Sequence, residues 1–121
     1  MTDGSPVDLD ALVFNADGLI PVIAQDADSS EVLMMAWANR DALQRTIEEG
    51  RMVYWSRSRG ELWRKGDTSG HVQHWTELRA DCDADVILAT VHQEGVACHA
   101  GERTCFYRRL TGGPDVETRH P

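Results

Sequence analysis

A β-rich α+β fold in a single domain is what this sequence predicts, and three observations point to it. Its 121 residues and 41% hydrophobic content suffice for one core and not for two. Strand-length apolar runs separated by turn-forming residues recur between Leu19 and Leu110. One segment alone carries helical periodicity between a clear start and a clear stop.

Leu19 to Gln25 and Val32 to Ala38 are the first two runs, and Asp26, Asp28, Ser29 and Ser30 between them favour turns, so the pair reads as a hairpin. Asn39 offers a cap for a helix over Arg40 to Glu49, in which Leu43, Thr46 and Ile47 recur at helical spacing and Gly50 supplies the stop. Met52 to Trp55 resumes a strand rich in valine and aromatic residues, Gly60 marks a turn, and Leu62 to Arg64 reads as a short return strand. The stretch Lys65-Gly66-Asp67-Thr68-Ser69-Gly70-His71 is a polar loop able to set backbone amides and hydroxyls around a phosphate. Val72 to Ala80 and Val86 to Val91 are further strands joined by Asp81 to Asp85, and Phe106 to Leu110 is the last candidate strand. The chain thus divides into an N-terminal extension at 1–18, a folded domain at 19–110 and a flexible tail at 111–121, which opens with Thr111-Gly112-Gly113-Pro114.

Charge and cysteine usage narrow the function. A formal net charge of −8 argues against general nucleic-acid binding, because a phosphate backbone rewards clustered positive charge. Between residues 51 and 65, however, Arg51, Arg57, Arg59, Arg64 and Lys65 stand against Glu61 alone. That segment reads either as a solvated face or as a place to hold a small anion. Met1 to Asp10 is acidic and lacks the pattern of a signal peptide, and nowhere do roughly 18 apolar residues run together. The expectation is a cytoplasmic protein with no membrane partner. Cys82, Cys98 and Cys105 cannot all pair with one another, so metal binding or catalysis is the preferred reading over a disulfide scaffold.

Three thiolates would supply three positions of a zinc tetrahedron and leave the fourth for water, the arrangement of a catalytic site. The ligands are widely spaced, without a C-x-x-C knuckle, and three inert buried thiols remain the alternative. Asp81, Asp83 and Asp85 alternate with other residues, and in an extended strand that period places all three carboxylates on one face and Cys82 on the other. Mg²⁺ would relieve their repulsion, although three acids on a solvated strand edge fit the same pattern. A calcium loop does not fit, since Val86 and His92 stand where glycine and glutamate belong. Opposite facing of Cys82 and the aspartates predicts two metals on different sides of one strand, one of them completed by a second subunit. His99, directly after a candidate ligand, is the best candidate base; His71 comes second, and His74, His92 and His120 default to structural or exposed roles.

Asp81-Cys82-Asp83-Ala84-Asp85, Ala97-Cys98-His99-Ala100-Gly101 and Thr104-Cys105-Phe106 closely resemble the phosphoribosyl-AMP cyclohydrolase family of histidine biosynthesis. So do Ser56-Arg57-Ser58-Arg59, Leu62-Trp63-x-Lys65-Gly66 and Thr68-Ser69-Gly70-His71, and the likeness runs from about Leu19 to Leu110. Thr104 stands where that family commonly has serine. The resemblance makes 19–110 a cyclohydrolase catalytic domain, with no room for the pyrophosphohydrolase domain that some members carry. It implies an intertwined homodimer, Zn²⁺ on Cys82, Cys98 and Cys105 shared between subunits, and Mg²⁺ on Asp81, Asp83 and Asp85. The implied substrate is a small phosphorylated nucleotide, 1-(5-phosphoribosyl)-AMP, whose adenine ring opens at the C6–N1 bond. Arg57, Arg59, Trp63, Lys65, Thr68, Ser69 and His71 are the expected substrate contacts, and His99 the catalytic base. Two rival readings remain: a zinc nucleobase deaminase, for which His92-Gln93-Glu94 matches H-x-E but no P-C-x-x-C follows, and a zinc-stabilised binding module without catalysis.

Overall fold

In the computed structural model, which describes residues 8–110, six strands form one sheet. They are β1 (Ile20–Asp26), β2 (Val32–Ala38), β3 (Val53–Ser56), β4 (Glu61–Arg64), β5 (Gln73–Ala80) and β6 (Ile87–Gln93), with one helix, α1 (Arg40–Glu49), between β2 and β3. Across the sheet the order is β4-β3-β2-β1-β6-β5. β1 and β6 run parallel and every other pair is antiparallel. The α+β class and the first hairpin agree with the sequence.

β1 shows how the sheet is seated. Ile20, Val22 and Ala24 are fully buried, while Pro21, Ile23 and Gln25 on the other face are half-buried. The buried row joins Leu33, Met52, Val53, Tyr54, Ala89 and Val91 in the core. α1 covers this face. Asn39 accepts from the Ala42 amide at 2.8 Å and Gly50 closes the helix at φ +76, a left-handed conformation that glycine adopts without strain. Ala42, Leu43 and Thr46 point inward, whereas Ile47, grouped with them by spacing, is 45% exposed. Thr46 ties helix to sheet, its hydroxyl donating to Ala42 O at 2.8 Å and accepting from the Val53 amide at 3.0 Å. The Trp75 indole donates to Thr46 O at 2.7 Å, a carbonyl that also accepts from the Gly50 amide at 3.1 Å.

One expectation changes. No strand forms over Phe106 to Leu110; Phe106 is 61% exposed and Leu110 wholly so, and the bond from the Cys105 amide to Leu33 O at 2.7 Å is where that segment leaves the sheet. The N-terminal extension is described from Asp8, and its Leu9, Leu12 and Phe14 pack on the core. Residues 1–7 and the tail expected at 111–121 lie outside the described residues.

Thr46→Val keeps the shape of the side chain and leaves the Val53 amide unpaired in the interior. We expect a loss of about 1–3 kcal/mol in unfolding free energy, read by chemical denaturation with an unchanged slope.

Candidate metal centres and substrate site

The sheet carries its chemistry at two opposite ends. At one end β5 turns into β6 through Asp81 to Asp85. This segment is a tight turn and not the extended strand on which the one-face argument relied. The Asp81 amide donates to Val86 O at 3.0 Å, the Ala84 amide to Asp81 O at 2.9 Å, and Ala84 takes φ +59. The Asp81 carboxylate accepts from the Asp85 amide at 3.0 Å. Turning does what alternation was expected to do: one oxygen from each of Asp81, Asp83 and Asp85 lies within 4.8 Å of the others, all exposed. Restricted solvation and the repulsion of Asp81 and Asp83 hold the Asp85 carboxyl above the usual carboxylate range. An oxygen-ligated hard cation fits this donor set, because it removes that repulsion. Beside the turn opens a cleft of about 240 Å³, with Phe14, Pro21 and Trp37 on its walls and Asp85 at its edge.

At the other end, the segment after β6 folds back on itself. The Ala97 amide donates to Arg103 O at 3.1 Å, the Cys98 amide to Glu102 O at 3.1 Å, and the Gly101 amide to Cys98 O at 3.0 Å. His99 is exposed on this turn, immediately beside Cys98. Thr104 donates from its hydroxyl to Val32 O at 2.7 Å, a bond that serine would make equally. Below it, Arg103 reaches the carboxylates of Asp26 and Glu31, each at 3.1 Å. These anchors bring Cys105 near Cys98, and desolvation followed by the neighbouring Cys98 thiol pushes the Cys105 thiol up. Lys65 lies nearby, 6% exposed, with its Nζ donating to Ala97 O at 2.9 Å.

Cys82 does not join them. It sits in the acidic turn, separated from Cys98 by the seven residues of β6, roughly 20 Å at about 3.3 Å per residue. Among the described residues, the three aspartates are the only set of three potential metal ligands that converges. Within one chain the thiols therefore divide two and one. This donor set fits thiolate-bound zinc only where the Cys82 end of one copy meets the Cys98 and Cys105 end of another.

The basic segment is partly self-paired. Arg51 and Arg64 both contact Asp67, at 3.2 and 3.6 Å, Arg64 also holds Glu49, and Arg59 lies 3.5 Å from Glu61. Arg57 stacks 4.8 Å over the Trp37 ring. Trp63 packs on Tyr54 with centroids 5.4 Å apart. Thr68 and Ser69 are exposed in a compact loop, where Ser69 Oγ accepts from the His71 amide at 3.1 Å. The His71 ring lies on Gly95, where a Cβ would come within 2.4 Å of it.

Sequence reasoning missed the polar support beneath this loop. Tyr54 donates to Gln73 at 2.6 Å, Gln73 to Gln93 at 2.8 Å, and Gln93 in turn to His71 O at 3.1 Å. Gln73 heads β5 and is fully buried, so its amide must find partners inside the fold. The H-x-E match of a deaminase has no such setting: Glu94 bonds exposed His74 at 2.8 Å, and His92 faces Asp28 at 3.8 Å.

A family model for phosphoribosyl-AMP cyclohydrolase matches residues 34–107, the span that contains both ends of the sheet's chemistry. The chain belongs to the phosphoribosyl-AMP cyclohydrolase family. Among curated relatives, the phosphoribosyl-AMP cyclohydrolase of Halorhodospira halophila is 58% identical over 93% of this chain and 80% of its own. That of Bordetella avium is 63% identical over 84% of this chain and 76% of its own. The Pseudomonas aeruginosa enzyme is 59% identical over 87% and 79%.

The anchor of the cysteine loop has a definite pH response. The Ser29 amide, then the Ser29 hydroxyl, and also Arg103, hold Asp26 below its ordinary value of 3.8, against the cost of burial. A depressed carboxylate stabilises the fold fully above the unfolded value and loses that contribution as pH falls through the folded one. Asp26→Asn should therefore lower the thermal midpoint at pH 7 and flatten its dependence on pH below about 4, as followed by circular dichroism.

Proposed function

We propose that this chain is a metal-dependent hydrolase that opens the adenine ring of 1-(5-phosphoribosyl)-AMP in histidine biosynthesis. Membership of the cyclohydrolase family supports the reaction. The observation that carries the site is the division of the three thiols, two at one end of the sheet and one at the other, which makes a complete donor set only between two copies.

Water adds to C6, the C6–N1 bond breaks, and N1 leaves with a proton, so the products are a carboxamide and a formimino-linked phosphoribosyl group. The amino group stays on carbon. Zinc on Cys82, Cys98 and Cys105, when bound, supplies the Lewis acidity that makes water nucleophilic near neutral pH. His99 takes the proton from the attacking water and returns one to N1. Asp81, Asp83 and Asp85 hold magnesium, which lets an acidic protein accept a substrate with two phosphates. Arg57 and Arg59 contact a phosphate, Thr68 and Ser69 supply hydroxyls at the loop tip, and Trp63 and His71 border the ring.

One further feature supports a homodimer. On the sheet face away from α1, Met35, Ile23 and Leu88 stand in one cross-strand row, and Met35 is 43% exposed. An apolar row on the open face of a sheet is suited to burial against a second copy. No helix among the described residues is long and apolar enough to cross a membrane, and a biosynthetic role on a phosphorylated metabolite fits the cytoplasm.

The decisive test mixes two inactive variants. Cys82→Ser and Cys105→Ser should each abolish ring opening, followed by ultraviolet absorbance. Co-refolded, they should recover about a quarter of wild-type activity, since half the dimers are mixed and each mixed dimer holds one intact site of two. No recovery would overturn the shared site. Asp83→Asn should keep its zinc and lose magnesium-dependent turnover, with zinc measured by elemental analysis.

A further inference from the structure

Lys65 is the only lysine in the sequence; every other permanently basic side chain is arginine. Yet this one amine is the buried one, 6% exposed. One of its three protons goes to Ala97 O at 2.9 Å, the carbonyl directly before Cys98. Its Nζ stands 5.8 Å from the Trp63 ring centroid, a favourable but modest contact for a cation. It takes part in none of the ion pairs among the described residues. A buried ammonium without a counter-charge is costly, and here the groups that act on it electrostatically are Cys105 and Cys98.

We propose that Lys65 is a positioning residue of the thiol site, its ammonium offsetting the negative charge of Cys98 and Cys105 when both bind metal, and its bond to Ala97 O holding the Cys98 backbone in place. The inference rests on the zinc reading above and gives Lys65 a task different from phosphate binding. Lysine suits it better than arginine, because a point charge on an apolar stem needs fewer buried partners than five guanidinium protons. Three thiolates leave zinc with a net negative charge, and a fixed cation beside two of them lowers the energy of that state.

Zinc affinity measured by chelator competition tests the assignment. Lys65→Met keeps the stem and removes the charge, and should weaken zinc binding about 10–100-fold, with the thermal midpoint followed alongside. Lys65→Arg should recover part of the loss, and Arg45→Met, an equal change in net charge on the exposed face of α1, should change nothing. Equal affinity in wild type and Lys65→Met, or a raised KM with zinc affinity intact, would overturn the inference and leave the metal site standing. A wild type that binds no zinc would overturn the metal reading and this inference together. Should Lys65→Met fail to fold, the unaltered protein still decides: acetic anhydride labelling of the sole side-chain amine, read by mass spectrometry, should slow when zinc is added. Equal labelling rates would refute the assignment.

Discussion

No side chain can reach from one end of β6 to the other, and the layout of this molecule follows from that limit. A strand of seven residues separates the acidic turn from the cysteine loop. Pairing fixes the two ends rigidly, β1 running parallel to β6 on one side and β5 antiparallel on the other. A site that needs donors from both ends must be made by apposition of two molecules. The open sheet face carries an apolar row of Met35, Ile23 and Leu88.

The two ends obtain their precision differently. The acidic turn holds the Asp81 carboxylate through the Asp85 amide at 3.0 Å, and the Val13 amide, donating to Ala84 O at 2.7 Å, ties the turn to the segment before β1. The cysteine loop depends on distant parts. Arg103 is held by Asp26 and Glu31, Thr104 by Val32 O and Cys105 by Leu33 O, all from β1, β2 or the turn between them. Lys65, at the end of β4, meets the same loop from the other side through Ala97 O. A loop tied by both buried and charge-assisted bonds presents its thiols in one arrangement.

The buried chain of Tyr54, Gln73 and Gln93 does the same for the His71 loop. Polar groups in a core cost stability unless every one is satisfied, and these three satisfy one another and the loop carbonyls. Through Gln93 and His71 O they order the backbone of the polar loop.

Much of this was legible from residue order alone, because its causes are local. Period-two burial marks β1, Asn39 and Gly50 bound α1, and the five-residue motifs around Cys82 and Cys98 lie within the span that matches the family. The same local reasoning failed where neighbours in space decide. Asp81 to Asp85 alternates like a strand but is a turn, because the chain must reverse there for β5 to pair with β6. Phe106 to Leu110 has strand-like composition but forms no ladder. Lys65 looks like a surface cation in a basic run, and only packing against Trp63 and Ala97 turns it inward. Sequence by itself determined which atoms are available for the chemistry, since side-chain type and spacing are properties of the chain. Tertiary structure decided which of those atoms meet, because strand length and pairing, rather than residue identity, set the distance between Cys82 and its companions.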